Sequence, residues 1–401
     1  MKFLRTASTR RLLAVLAAIA LVVGGGSAIA VAASSGGPVP KHRSLASALH
    51  SALNAPAVKG ISANIKFTNN LVDASSFQGS DPLLQGASGR LWLSNDHRLR
   101  LELQSTSGDA QIVVNKTSFW ISDPAQHTVY EGTVPKDLLG SSKSGQHDAV
   151  PGIATIQSDL NKLMKHINVS GAIPGDVAGQ AAYTVRVTPK HDGGLLGAAE
   201  VAWDAVRGVP LRFAVYAKGN STPVLELTAT GISYGTIPAA NFNVAPPSGS
   251  KVVKVSTATA SKGSKQHHGH KAPVSGVRAV AAKLPFKLHA PATLIAMPRQ
   301  SVKLLSWGGK PAALVTYGQG LGGIAVIEQT ASAKSATTKS TASASGDKPG
   351  FTLPTVSIKG ATATELDTAL GTVVRFSRGG VSYTVLGSIP PVAAEKAARS
   401  L

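Results

Sequence analysis

Gly318, Gly320 and Gly323 match the G-x-G-x-x-G spacing with which a backbone cradles a dinucleotide pyrophosphate. That chemistry needs a helix straight after the loop, because the helix N-terminus holds the phosphates. Ile324-Ala325-Val326-Ile327 follows instead, a strand-like run, so the glycines read as a hairpin loop. His267, His268 and His270 offer imidazoles to a borderline metal such as zinc or copper. They stand in a Lys-rich stretch with no carboxylate to orient them, which favours a solvated tract. Glu200 with Asp204, and Glu102 with Asp96, are the acid pairs a hydrolase would use. Asp204, however, opens a turn, where Asp commonly caps the backbone. No serine stands in a Gly-x-Ser-x-Gly elbow. The residues therefore predict no catalytic group, no metal site and no cofactor, and a protein that is not an enzyme.

The N-terminus assigns a compartment. Lys2, Arg5, Arg10 and Arg11 precede an apolar run from Leu12 to Val23, then Gly24-Gly25-Gly26 and small residues through Ala33. This is the order of a bacterial export signal. Arg10-Arg11 adds a loose twin-arginine hint. Two readings of 1–33 stand. Cleavage is favoured because the dense apolar run stops at the triple glycine. A retained anchor is the alternative, since 12–33 as one helix would be ~33 Å long. Both place the remainder outside the cytoplasm, secreted or membrane-anchored. With no cysteine there is no acylation box, disulfide or thiolate metal site, so stability must come from burial. The net charge is +20, and residues 251–350 carry +12 of it, from 14 Lys or Arg against Glu328 and Asp347. These stretches lack the stacking aromatics of a nucleic-acid binder. An anionic membrane surface is the expected electrostatic partner, and nucleic acid is not.

The elements that would position a site are mostly strands. Ser44 reads as the N-cap of a helix with Leu45, Leu49, Ala52 and Leu53 on one face. Period-two runs follow at Ile61–Phe67, Leu91–Leu93, Leu99–Leu103, Ile112–Val114, Phe119–Ile121 and Val129–Tyr130, with a hairpin at Asn95-Asp96. They make an antiparallel meander with one apolar and one wet face. Ile156, Leu160, Leu163, Met164 and Ile167 form a helical stripe. Strands resume at Tyr183–Val187, Val201–Trp203, Leu211–Val215 and Leu225–Leu227, with Asp204 to Gly208 as a turn. A polar linker spans 254–276, with a reach of roughly 25 Å as a coil. A second domain fills 277–401. It contains a low-complexity insertion at 331–350, a short helix from Thr364 to Leu370, a hairpin about Gly379-Gly380 and a closing helix from Val392.

Phe119-Trp120-Ile121 before Val129-Tyr130, then Ala181 to Val187, and Val201-Ala202-Trp203-Asp204 before Gly208-Val209-Pro210-Leu211 resemble the LolA/RseB-like superfamily of envelope lipoprotein carriers over 44–253. The ending, a strand, a Gly turn, a Tyr strand and an Ala/Glu helix, resembles a small uncharacterised domain of anti-sigma-like membrane proteins. The first resemblance implies an α+β fold: a half-open antiparallel β-barrel with lid helices, beside a smaller α+β C-terminal domain. It also implies that a lipid or lipoprotein acyl chain is the ligand. The alternative it carries is a regulatory module that binds an anti-sigma-type membrane protein. No functional residue transfers by motif. The apolar side chains of the strands and helix supply the cavity candidates: Trp92, Leu99, Leu101, Leu103, Trp120, Leu160, Leu163, Trp203 and Phe213. Core and cavity wall are both open readings for these.

Segments 254–276 and 331–350 hold too little apolar surface to offset chain entropy. Trypsin is expected to cut them first, with mass mapping as the readout. Protection of the five lysines from 251 to 271 would mean that the linker is packed.

Overall fold

The computed structural model describes residues 37–72, 86–105, 108–124, 127–134, 151–190, 193–255, 274–307, 310–331 and 353–401. The segment expected to be an export signal and the three clustered histidines lie outside these, as do most of the stretches expected to be a linker and a low-complexity insertion. Among the described residues no helix is long and apolar enough to cross a membrane. The chain forms two compact units.

The first unit begins with α1 (Leu45–Asn54). The Ser44 hydroxyl accepts the Ser47 N–H at 3.2 Å, and Ala55 turns extended ahead of Pro56, which ends the helix. Six strands follow: β1 (Gly60–Asn69), β2 (Ala87–Ser94), β3 (Arg98–Ser105), β4 (Gly108–Asn115), β5 (Ser118–Asp123) and β6 (Thr128–Thr133). After α2 (Ile153–Leu163) come β7 (Ile167–Val169), β8 (Ile173–Val177), β9 (Gln180–Pro189), β10 (Leu196–Asp204), β11 (Pro210–Ala217) and β12 (Leu225–Tyr234). A single 3-10 turn (Ala239–Phe242) leads to β13 (Lys251–Val255). One sheet takes them all in the order β13-β6-β5-β4-β3-β2-β1-β12-β11-β10-β9-β7, with β8 also on β9. The fold is α+β with a curled half-barrel sheet.

α1 packs on the sheet through Ala48, Leu45 and Leu49 against Tyr183, Val185 and Trp203. α2 lies over α1, with Ile156 and Leu160 against Ala46, Leu49 and Leu53. The helical stripe expected through Ile167 stops earlier. Met164 to His166 turn, and Ile167 to Val169 pair with β9 instead, burying Ile167 at the sheet edge. Lys254 and Val255, assigned by their polar surroundings to a linker, are the last residues of β13. Its parallel pairing with β6 is a backbone interaction that composition does not reveal.

The second unit holds α3 (Val277–Ala281) and an eight-stranded sheet: β14 (Thr293–Leu294), β15 (Met297–Trp307), β16 (Lys310–Tyr317), β17 (Ile324–Thr330), β18 (Thr355–Ile358), β19 (Ala361–Thr368), β20 (Gly371–Arg378) and β21 (Val381–Gly387). Their order is β14-β15-β16-β17-β21-β20-β19-β18, and α4 (Pro391–Arg399) buries Ala394, Ala397 and Ala398 in the core. Gly318 to Gly323 joins β16 to β17 as a hairpin loop, with Tyr317 opposite Ile324. The helix expected from Thr364 to Leu370 is wrong. Those residues belong mainly to β19, where threonines alternate with buried Ala363 and Glu365 between two neighbouring strands. Pairing on both sides overrides the weak local preference.

This second core contains one fully buried carboxylate. Glu328 Oε2 accepts the His289 N–H at 2.9 Å, and Oε1 is buried with no hydrogen-bond partner. Burial pushes its pKa from 4.5 to about 7, against the opposing His289 hydrogen bond. The folded state therefore favours the neutral acid. Its stability is fully present below pH ~4.5 and declines as the pH rises towards 7. Glu328→Gln is expected to flatten urea-unfolding stability between pH 5 and 7. At pH 8 the gain should be about 3–4 kcal/mol, from ~1.4 kcal/mol per pKa unit. An unchanged pH profile would contradict the assignment.

Candidate functional site

Cross-strand partners share a face and successive residues alternate, so the register sorts every side chain of the sheet. Ala63, Leu91, Leu101, Ile112, Ile121 and Tyr130 form one row from β1 to β6. Leu93, Leu99, Val114 and Phe119 form a second on the same face. Phe213, Leu227 and Phe67 extend it across β11, β12 and β1. Tyr183, Val185, Val201 and Trp203 continue it beneath α1. The result is one apolar face across the half-barrel. Its cover is uneven. Trp203 is 6% exposed, whereas Leu227 is 46% and Ile121 38% exposed. Phe67, Leu91, Leu93, Leu99, Leu101, Ile112 and Phe213 are only half-buried.

The candidates from the sequence fall into three places. Leu99, Leu101, Leu103 and Phe213 are on the apolar face, with Leu103 buried beside Ile61, Ile65 and Val209. Trp203 is on that face under α1, tilted against Tyr183 at 6.2 Å. Leu160 is buried between α1 and α2, and Leu163 is half-buried near the end of α2. Trp92 and Trp120 point the other way, in the row Ser62, Trp92, Arg100, Val113, Trp120. Arg100 lies over the Trp92 ring at 5.1 Å. Trp120 Nε1 donates to the Val244 carbonyl at 3.1 Å, fastening the segment after the 3-10 turn onto this second face. Arg98 covers Phe242 at 4.9 Å, and Asn115 Nδ2 donates to Asn243 Oδ1 at 2.8 Å. The face expected to be wet is thus partly covered by the chain's own strap. A cavity of about 530 Å³ lies between the strap, β4–β6 and β13, with Trp120, Phe242, Val244, Glu131 and Lys254 in its wall.

The acid pairs do not gather into a reactive centre. Glu200 accepts from Arg186 and Arg212 at 2.6 Å each, and from the Tyr216 hydroxyl at 2.7 Å. Burial raises its pKa, but the bonds from Arg212, Tyr216 and Arg186 outweigh burial and hold it below the ordinary value. Arg212 also reaches Glu226 at 2.6 Å, and Arg186 stacks over Tyr216 at 4.5 Å. Asp96 is held down at about 2 by its bonds to Arg98 and Ser94, and Glu102 is paired with Arg100. Among the described residues no group of three His, Cys, Asp or Glu converges to hold a metal. The arginine network was not foreseen. Its only sequence signal is a lone charged residue in each of four strand-like runs, which equally fits a solvated strand face.

Asp204 is structural. Oδ1 accepts the Val206 and Arg207 N–H groups at 2.8 Å, and Oδ2 accepts the Tyr234 hydroxyl at 2.8 Å. Gly208 completes the turn at φ +66°, and a Cβ there would lie 2.4 Å from the Ala52 carbonyl at the end of α1. The turn thereby sets where α1 crosses the apolar face.

No family model matches the chain, and no curated protein matches it. Among solved structures it is similar to the Pseudomonas aeruginosa MucA/MucB complex, at 15% identity and TM-score 0.39, over 88% of this chain and 94% of that one. It is also similar to a putative outer membrane lipoprotein-sorting protein domain from Vibrio parahaemolyticus, at 12% identity and TM-score 0.20, over 50% of this chain and 96% of that one. A LolA superfamily protein from Nitrosomonas europaea is similar at 10% identity and TM-score 0.19, over 51% and 99%.

Burial raises the Asp204 pKa while its four hydrogen bonds together lower it below 3.8. Its contribution is therefore present above that value and lost as the pH falls through the lowered folded value. Asp204→Ala is expected to cost roughly 2–3 kcal/mol in urea unfolding at pH 7, through two unsatisfied amides and a lost Tyr234 bond. Asp204→Asn, which keeps an acceptor, should cost less. Equal losses would contradict the capping role.

Proposed function

We propose that the chain is an exported, non-enzymatic envelope protein whose first unit binds an apolar ligand, an acyl chain, on the half-barrel's apolar face. The observation that carries this is the incomplete cover of that face. Phe67, Leu91, Leu93, Leu99, Leu101, Ile112 and Phe213 remain half-buried, while Ile61, Ala63, Ile65 and Leu103 are buried and the β9–β10 end is closed by α1. Water against such a surface is costly, at about 25 cal/mol per Å² of apolar area. A flexible hydrocarbon tail relieves that cost without needing a fixed polar partner. Leu99, Leu101 and Phe213 are the proposed wall of the site, with Leu227 and Ile121 at its most open points.

Native mass spectrometry of the full chain, with and without added fatty acid, tests the reading. Bound acyl mass is expected for the natural protein. Leu227→Glu, at an already exposed position, should weaken binding at least ten-fold while leaving the melting temperature nearly unchanged. A chain that stays empty at saturating fatty acid would overturn the proposal. So would Leu227→Glu binding as tightly as the natural residue. Recovery of one stoichiometric membrane protein with no lipid would favour a regulatory docking module instead.

A further inference from the structure

Strand β13 ends the large sheet, and among the described residues no strand lies beyond it. Lys251 N–H donates to the His127 carbonyl at 2.8 Å, which sets the phase of the parallel ladder with β6. In such a ladder alternate residues direct both backbone groups to the same neighbour. Lys251, Val253 and Val255 therefore bond towards β6, and Val252 and Lys254 present their N–H and C=O groups outward. Lysines alone would blunt such an edge against further pairing. Here they accompany exposed apolar side chains, with Val252 50% and Val255 39% exposed. The 530 Å³ cavity reaches the same strand, with Lys254 and Val255 in its wall beside Trp120 and Phe242.

We propose that the free edge of β13 takes up an extended acidic segment of another protein as an additional strand, with one apolar side chain of that segment seated in the adjoining cavity. Main-chain pairing supplies affinity, and the cavity supplies selectivity. The acidic character follows from two lysines in five strand residues within a chain of net charge +20. The cavity shares Phe119 with the apolar face, but the strand pairing at the β13 edge does not depend on the acyl-chain reading.

The test probes the full chain against an array of fluorescent ten-residue peptides that alternate acidic and apolar residues, each matched by a version with lysine for every acid. Members of the acidic set are expected to bind and their lysine counterparts not to. Val252→Pro removes one outward N–H, leaves the bonds to β6 in place, and stands where proline is tolerated in a sheet. It should weaken binding at least ten-fold. The double variant Lys251→Glu with Lys254→Glu should transfer preference to the lysine set, which keeps the test decisive if the proline variant unfolds. Leu227→Glu should bind the peptides normally, separating a failure here from a failure of the acyl-chain reading. The proposal is overturned if no acidic peptide binds, or if acidic and lysine sets bind alike. It is equally overturned if Val252→Pro folds and binds unchanged, or if light scattering shows that the edge instead joins two copies of this chain.

Discussion

One constraint organises the first unit: an open sheet with alternating side chains has two faces, and each must be covered or solvated. Thirteen strands share that sheet, yet α1 is the helix that packs on it, and α2 packs on α1. The three remedies differ along the sheet. Under α1 the apolar face is closed around Trp203 and Tyr183. On the opposite face, β9–β12 carry an arginine–carboxylate–tyrosine lattice, and β3–β6 are covered by the strap through Phe242 and Val244. What remains is the half-buried apolar stretch of β1–β5 and β11–β12. The Asp204 turn fixes this division, because Gly208 abuts Ala52 and so holds the far end of α1 in place.

The local devices were legible in the sequence because each rests on a few adjacent residues. The Ser44 cap, the Asn95-Asp96 hairpin, the Asp204–Gly208 turn and the Gly379-Gly380 hairpin all stand where their chemistry places them. The antiparallel meander follows from period-two runs between such turns, whereas the half-barrel was implied by the family resemblance alone. Facing was harder. Trp92 and Trp120 are large and apolar, which suggests an interior, but their parity relative to Leu91 and Phe119 puts them on the opposite face. There Arg100 and the Val244 carbonyl receive them. Parity was readable, whereas the strap that makes a second covered face is not, since Val244 is 124 residues from Trp120. Long-range partners also decided the misread 364–370 stretch and the early end of the stripe at Ile167.

Two glutamates show why residue type and spacing alone do not make chemistry. Glu200 and Glu328 are both withdrawn from water, and burial pushes both pKa values up. Glu200 has two guanidiniums and a phenol within hydrogen-bond distance and is held ionised. Glu328 has one backbone amide and is driven towards neutrality. Neither behaves as the free carboxylate that a hydrolytic pair requires, because a poised acid or base needs a proton it can exchange with a substrate. In Glu200 the proton affinity is spent on arginines, and in Glu328 the carboxyl lies wholly inside the core.

The same pairing explains the charge of the surface. Asp96, Glu102, Asp159, Glu200, Asp204, Glu226 and Glu395 each stand in an ion pair with a lysine or arginine of their own unit. The sequence has 20 acidic against 40 basic side chains, which leaves a net charge of +20 however the acids are paired. A net excess of this size is felt over about a Debye length, ~8 Å at physiological salt, and favours anionic neighbours of any shape. It cannot by itself choose among them. Selection must come from geometry at particular places, and the first unit offers two of opposite character. On the acyl-chain reading, the half-covered apolar face would discriminate by hydrophobicity. The β13 edge sets lysines beside valines, so on the proposed strand pairing it would discriminate by charge pattern and extended backbone together.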